Sequence, residues 1–212
     1  MDNHSIVSGK RRSAVRLSAF RKTLAYYLTQ PVVQLLVRTP IAPNAITWFG
    51  FLITLGAAAL IITEYLFAAG FVVLIAGFFD ILDGALARST NRTTQFGAIL
   101  DSTLDRLSEA ALLLGILAVY VGKQSTLGIL LTAVALPSSL VVSYISAKAE
   151  SLGLECQVGL FTRTERVVML ALGLLLSQID YALIIALAII VVFSFITVSQ
   201  RLFNVWQQTK IG

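Results

Sequence analysis

Charge is what this sequence has least of. Only 13% of its 212 residues are Asp, Glu, Lys or Arg, where a water-soluble domain carries about a quarter. That deficit excludes an ordinary soluble core as the main architecture. One cysteine, Cys156, excludes an intrachain disulfide. The single histidine, His4, sits in a polar stretch and reads as a solvated side chain rather than a ligand. No apolar run precedes Pro31, so no cleavable signal peptide is expected. Internal repeats and low-complexity tracts are lacking too.

What fills the sequence is apolar. Hydrophobic residues make up 57% of it, and the mean hydropathy is +0.86. Six apolar stretches, near 46–66, 69–88, 97–121, 126–148, 165–178 and 181–203, recur along the chain. All but the fifth approach the ~20 residues that cross a hydrocarbon core. The fifth is short, but Arg163 and Arg166 can snorkel at its start. A lipid-facing backbone must satisfy its own hydrogen bonds, so all six are expected to be helices. The fold expected is an all-α integral membrane protein with six transmembrane helices over residues 39–212. Residues 1–38 form a basic tail and an amphipathic segment, where Leu17, Phe20, Leu24, Tyr27 and Leu28 recur among Arg16, Arg21 and Lys22. That segment reads as an N-terminal interfacial helix on the membrane lipids, or else as a helix packed on its own protein.

Six spans put both termini on one side. Of 16 Lys and Arg residues, only Lys123 falls clearly on the opposite side. Positive loops stay in the cytoplasm, so both termini are expected there, in a plasma-membrane protein. This distribution accounts for the net charge of +5 without a nucleic-acid partner.

The few charges present are concentrated where they cost most. A charge inside a span costs at least about 2.5–3.5 kcal/mol on insertion scales. The second span nevertheless carries Asp80 and Asp83, and the third carries Asp101, Asp105, Arg106 and Glu109. Asp80 and Asp83 are three residues apart and Asp101 and Asp105 four, so each pair shares a helix face. The short polar connection near 89–95 makes the two helices antiparallel. Both pairs then lie about 6–8 Å inside the cytoplasmic helix ends. Such a group must protonate or bind cations. Hard oxygen ligands suit Mg²⁺ or Mn²⁺, and four carboxylates suffice for two ions that clamp a phosphoryl displacement. Two other readings stand beside this one: a structural ion-pair cluster with Arg88 and Arg106, and a carboxylate pathway in a transporter. Clustering near one membrane face, flanked by the small residues Gly84, Ala87 and Gly97, favours catalysis.

In order, these residues read Asp80-x2-Asp83-Gly84-x2-Ala87-Arg88-x8-Gly97-x3-Asp101-x3-Asp105. The pattern resembles the signature of the CDP-alcohol phosphotransferase family, and the resemblance extends over about 40–205. It implies a CDP-linked lipid donor such as CDP-diacylglycerol, release of CMP, and homodimers. It also implies metal binding by Asp80, Asp83 and Asp101 with Asp105 close by, and Asp105 as the general base. Gly84 and Arg88 would contact the CDP group beside Ala87 and Gly97. Thr94 falls where the family often has a nucleotide-contacting Ser or Thr. Pro43-Asn44-Ala45-Ile46-Thr47 resembles the family's nucleotide-holding Pro-Asn-x-x-Thr segment, and Asn44 is also a candidate N-cap for the first span.

The acceptor is read from a further resemblance. Asp101 to Glu109 resembles the phosphatidylinositol phosphate and archaetidylinositol phosphate synthases; the Pro-x-Ala-Asp-Lys version of phosphatidylglycerophosphate synthases is absent. Ser143–Glu150, Arg163-Thr164-Glu165-Arg166 and Gln200-Arg201 resemble segments of the same inositol group. This implies inositol 1-phosphate as acceptor. Lys148, Arg163, Arg166 and Arg201 are candidates for its phosphate, since guanidinium forks match phosphate oxygens; anchoring at helix ends would explain the same residues. Two departures, Ser146 for a usual Lys or Arg and Thr162 for a frequent Glu, keep glycerol 3-phosphate as the alternative acceptor.

Overall fold

The computed structural model describes residues 30–37, 42–90, 92–156 and 158–211. Seven helices run through them, and no strand occurs among the described residues. A short helix α1 covers 30–36. It is followed by α2 (Pro43–Ile62), α3 (Leu66–Ser89), α4 (Gln95–Gly122), α5 (Thr126–Ser151), α6 (Arg163–Leu175) and α7 (Ala182–Ile211). The basic tail and most of the expected interfacial segment lie outside the described residues. The part within them packs on its own protein: Val33 of α1 is buried with Ile46, Leu82 and Leu86.

The helix signals are local. Pro43 occupies the first turn of α2, where its missing N–H costs nothing. The N-cap there is Ala42, with no side-chain bond, so Asn44 does not cap this helix: proline starts it before Asn44 is reached. Thr94 caps α4 by accepting from the Gly97 N–H at 2.9 Å. Thr162 and Glu165 form a capping box at the start of α6. The first apolar run ends earlier than its hydropathy suggests, because Glu64 turns the chain with φ 63°. Gln124 (φ 51°) and Tyr181 (φ 64°) do the same in the other two connections at that end.

Four helices, α2, α3, α5 and α7, are long and apolar enough to cross a membrane. With their family, set out below, they make this a multi-pass membrane protein. The 28 residues of α4 could span about 42 Å, but its charges break the apolar run. The 13 residues of α6 reach only about 20 Å.

The principal packing pairs are α2–α3, α3–α6, α6–α7, α7–α5, α5–α4 and α4–α2, which close a ring. Its two ends differ. Toward the three short turns lies the main apolar core, with Ile61, Val73, Leu112, Leu113, Ile116, Leu170, Leu174, Leu187 and Ile190. Packing there is tight: a Cβ on Gly173 would stand 2.6 Å from the Ala186 Cβ. The other end, where α3 and α5 finish and α4 and α6 begin, holds the buried charges Asp83, Glu109, Arg166 and Arg201.

α7 runs eight residues beyond the apolar stretch that announced it, and the polar face of its second half has a task. The 154–161 connection has little regular structure of its own. Thr197 Oγ1 accepts from the Phe161 N–H (3.1 Å) and Gln200 Oε1 from the Leu160 N–H (3.2 Å). Arg201 Nε donates to the Val158 carbonyl (2.9 Å). Asn204 and Gln208 donate to the Glu155 carbonyl (3.0 and 2.6 Å). Side chains of one helix thus pair the backbone groups of a loop far away in sequence.

Candidate active site

Three of the four aspartates converge. Oxygens of Asp80, Asp101 and Asp105 lie within 4.8 Å of one another. The convergence follows from the antiparallel α3–α4 arrangement and the one-turn spacing of each pair. Asp83 stands apart from the trio. It is 4% exposed, the Thr47 hydroxyl is within bonding reach, and its Oδ2 has no hydrogen-bond partner.

The ion-pair partner of this cluster is Arg163, not Arg88 or Arg106. Arg163 Nη1 lies 2.7 Å from both Asp80 Oδ1 and Asp105 Oδ2. Sequence spacing marks Arg163 only as a basic residue at the start of a short span. A turn further along α6, Arg166 meets Glu109 in a two-pronged pair: Nε to Oε1 at 2.6 Å and Nη2 to Oε2 at 2.8 Å. The sequence gives both charges but not their pairing, since nothing local connects residues 57 positions apart.

The trio fits a divalent cation. Its oxygens are spaced as ligands of one ion held at about 2.0–2.6 Å would be. Three carboxylates against one guanidinium leave two negative charges uncompensated. The orphaned Oδ2 of Asp83 is a further buried oxygen with coordinating capacity to spare. All donors are carboxylate oxygens, which selects hard ions over soft ones.

Cavities lie on either side of this cluster. One, of about 530 Å³, is lined by Pro43, Asn44, Thr47, Asp83, Gly84, Ala87, Arg88, Thr94, Gly97 and Asp101, together with Arg92, Thr93 and Ala98. Most of the residues singled out for the nucleotide therefore share one wall-to-wall space. Ala45 and Ile46 are not among its lining; Ile46 is buried against Leu82 and Leu86. Gly97 must stay small here, because a Cβ would meet Thr94 Oγ1 at 2.9 Å and Asn44 Oδ1 at 3.1 Å. The second cavity, of about 610 Å³, is lined by Ser102, Asp105, Arg106, Val142, Ser143, Ser146, Thr162, Arg163, Arg166 and Arg201. Lys148 is exposed near the end of α5 and does not line it. A smaller space beneath the cluster, bounded by Asp80, Asp83, Asp105, Thr54 and Ser108, joins the two sides. Asp101 faces the first cavity and Asp105 the second.

A carboxylate cluster between two cavities, one small-residue-lined and one arginine-lined, suits transfer of a group from one ligand to another. Known proteins agree. The chain is 37% identical over 196 residues to the archaetidylinositol phosphate synthase of Methanothermobacter thermautotrophicus, covering 92% of this chain and 96% of that one. It is 36% identical over 188 residues to the phosphatidylinositol phosphate synthase of Mycobacteroides abscessus, covering 86% and 84%. The fold matches the crystal structure of the Mycobacterium tuberculosis phosphatidylinositol phosphate synthase with CDP-DAG bound, at TM-score 0.78, 34% identity and 85% and 94% coverage. A second structure of that enzyme, in complex with manganese and citrate, matches at 0.77, with 35% identity and 84% and 88% coverage. The family model of CDP-alcohol phosphatidyltransferases matches residues 40–199. These matches set the transporter reading aside: the chain is an enzyme of the CDP-alcohol phosphatidyltransferase family.

Proposed function

We propose that this enzyme transfers the phosphatidyl group of CDP-diacylglycerol, or of an ether-lipid equivalent, to inositol 1-phosphate and releases CMP. The observation that carries the reading is the charge balance of the second cavity. Four guanidinium groups line it: Arg106, Arg163, Arg166 and Arg201. Arg163 and Arg166 are paired with carboxylates. Among the described residues, Arg106 bonds the Ser102 carbonyl, and Arg201 bonds the Val142 and Val158 carbonyls. Carbonyls cancel no charge. These two guanidinium groups have no carboxylate at salt-bridge distance among the described residues, and guanidinium forks fit the oxygens of a phosphomonoester carrying close to two negative charges. The named relatives support the same acceptor.

The roles follow from position. Asp80, Asp83 and Asp101 hold metal, with Asp105 contributing. Pro43, Asn44, Thr47, Gly84, Ala87, Arg88, Thr94 and Gly97 hold the CDP group, with Arg88 at the pyrophosphate. Bound Mg²⁺ or Mn²⁺, two ions in this reading, neutralises the diphosphate and stabilises the departing CMP. Asp105 faces the acceptor and takes its hydroxyl proton as the new oxygen–phosphorus bond forms and the bond to CMP breaks. A carboxylate is a weak base, but the proton need leave only in the transition state. Positioning and electrostatics supply most of the rate.

The same reading has α2 to α7 as six membrane spans in a homodimer, with both termini and the site cytoplasmic. The distribution of Lys and Arg supports that orientation. The test is CMP release from radiolabelled CDP-diacylglycerol in membranes containing the enzyme, with inositol 1-phosphate, glycerol 3-phosphate or inositol supplied separately. Release with inositol 1-phosphate is expected. Release only with another acceptor sinks the assignment.

A further inference from the structure

We propose that Glu109 is a positioning residue for the acceptor: it holds the Arg166 guanidinium by one edge, so that the opposite edge faces the arginine-lined cavity. The inference rests on the proposed phosphorylated acceptor.

The geometry carries it. Arg166 is 1% exposed and Glu109 6%. Glu109 engages Nε and Nη2 of Arg166 at 2.6 and 2.8 Å. The remaining nitrogen, Nη1, has only the Phe161 carbonyl at 3.5 Å, too long for a strong bond. Arg166 is among the residues that line the cavity bordered by Asp105 and Arg163. One edge is therefore held by protein, and the other is available to a phosphate oxygen.

The pair also belongs to a ladder. Asp105 and Glu109 are four apart on α4, and Arg163 and Arg166 three apart on α6, so each two share a face. Asp105–Arg163 forms the upper rung; Glu109–Arg166 forms the lower, about 6 Å deeper. The two helices are not among the principal packing pairs of the ring, so these long side chains join them across its interior. Removing Glu109 would free a buried guanidinium whose next carboxylate along α4 is Asp105, the proposed base.

Stability alone does not account for such a pair. Leu112, Leu113 and Leu170 fill the adjoining layer, and apolar residues often replace a buried ion pair at no loss. What apolar residues cannot do is fix the direction of a cation.

The experiment uses the purified full-length enzyme and initial rates of CMP release, varying acceptor at saturating CDP-diacylglycerol and the reverse. Wild type is assayed first with inositol 1-phosphate, glycerol 3-phosphate and inositol. If it turns over without inositol 1-phosphate but with another phosphorylated acceptor, the acceptor assignment fails and the Glu109 inference is decided with the acceptor it uses. Turnover only with unphosphorylated alcohols overturns both. For E109Q the acceptor KM is expected to rise about 10- to 100-fold, the effect of losing one charge-assisted bond. The donor KM should stay within about twofold, and kcat should fall less than the acceptor KM rises. E109D should recover part of the loss. The double variant E109Q/R166Q should be no worse than R166Q, because a residue acting through another has nothing left to act on. An unchanged acceptor KM, a parallel rise in donor KM, or additive losses overturn the inference. Should E109Q not fold, E109D keeps the buried charge and Arg166 but shortens the reach of the carboxylate: a raised acceptor KM with a normal donor KM upholds the proposal, and a wild-type acceptor KM refutes it.

Discussion

Gly97→Ala separates local site geometry from global stability. Gly97 lies in the first turn of α4, and its N–H is the one Thr94 caps. A Cβ there would stand 2.9 Å from Thr94 Oγ1 and 3.1 Å from Asn44 Oδ1, so both oxygens must move. Losing the cap costs about 1 kcal/mol. Exchanging Gly for Ala within a helix returns about the same, ~1 kcal/mol. The two offset, and the thermal midpoint should hardly change. The site does not benefit from that cancellation, because Thr94 and Asn44 both line the CDP-side cavity. Loss of one bond to a charged group, about 1.5–3 kcal/mol, raises the donor KM by about tenfold or more. Initial-rate CMP release at varied CDP-diacylglycerol, paired with thermal unfolding in detergent, measures both. Gly56→Ala is the contrast: a Cβ on this exposed residue of α2 meets nothing within 4 Å, so the donor KM should change by at most about threefold. A donor KM for Gly97→Ala within twofold of wild type, or an equal rise in acceptor KM, would refute the reasoning.

Other outcomes follow from the same structure. Asp105→Asn should abolish turnover while leaving donor binding largely intact; normal turnover in that variant removes Asp105 as the base. Chelation with EDTA should stop CMP release, and added Mg²⁺ or Mn²⁺ should restore it; release that continues in chelator contradicts the metal reading. Arg201→Gln should raise the acceptor KM and also expose the 154–161 connection to limited proteolysis, since Arg201 bonds both Val142 and Val158; a protease pattern identical to wild type shows that the loop does not depend on it. Gln124→Gly should leave activity unchanged and raise stability by up to about 1 kcal/mol, because the exposed Gln124 sits at φ 51° where a side chain is strained; a lower midpoint in thermal unfolding argues against strain there.

Spacing was enough to read the convergence of Asp80, Asp101 and Asp105. Asp80 and Asp83 sit on one helix turn, Asp101 and Asp105 on another, and a short connection folds the two helices together, so periodicity alone predicts their meeting. Thr94 and Gly97 were legible through the resemblance to the family's signature. Which way each carboxylate turns was not: Asp83 stands outside the trio and is buried, with its Oδ2 unpartnered. Nor could local pattern reveal that Arg163 reaches Asp80 across 83 positions, or that Arg166 answers Glu109. Asn44 shows a subtler limit. Its type suggests a cap, but Pro43 beside it had already set the helix start, which turned the amide toward Gly97 instead.

The loop held by α7 orders events in time. Contacts around Asp80 and Asp101 join neighbouring helices, which meet early as a chain is made. Leu160, Phe161 and Glu155 find their partners 36 to 53 residues later, all in the last helix. Arg201 of the same helix lines the arginine-rich cavity, which can therefore be completed only when synthesis is nearly finished. A chain that has already brought Asp80, Asp101 and Asp105 onto neighbouring helices still lacks Arg201 and the residues that hold this loop.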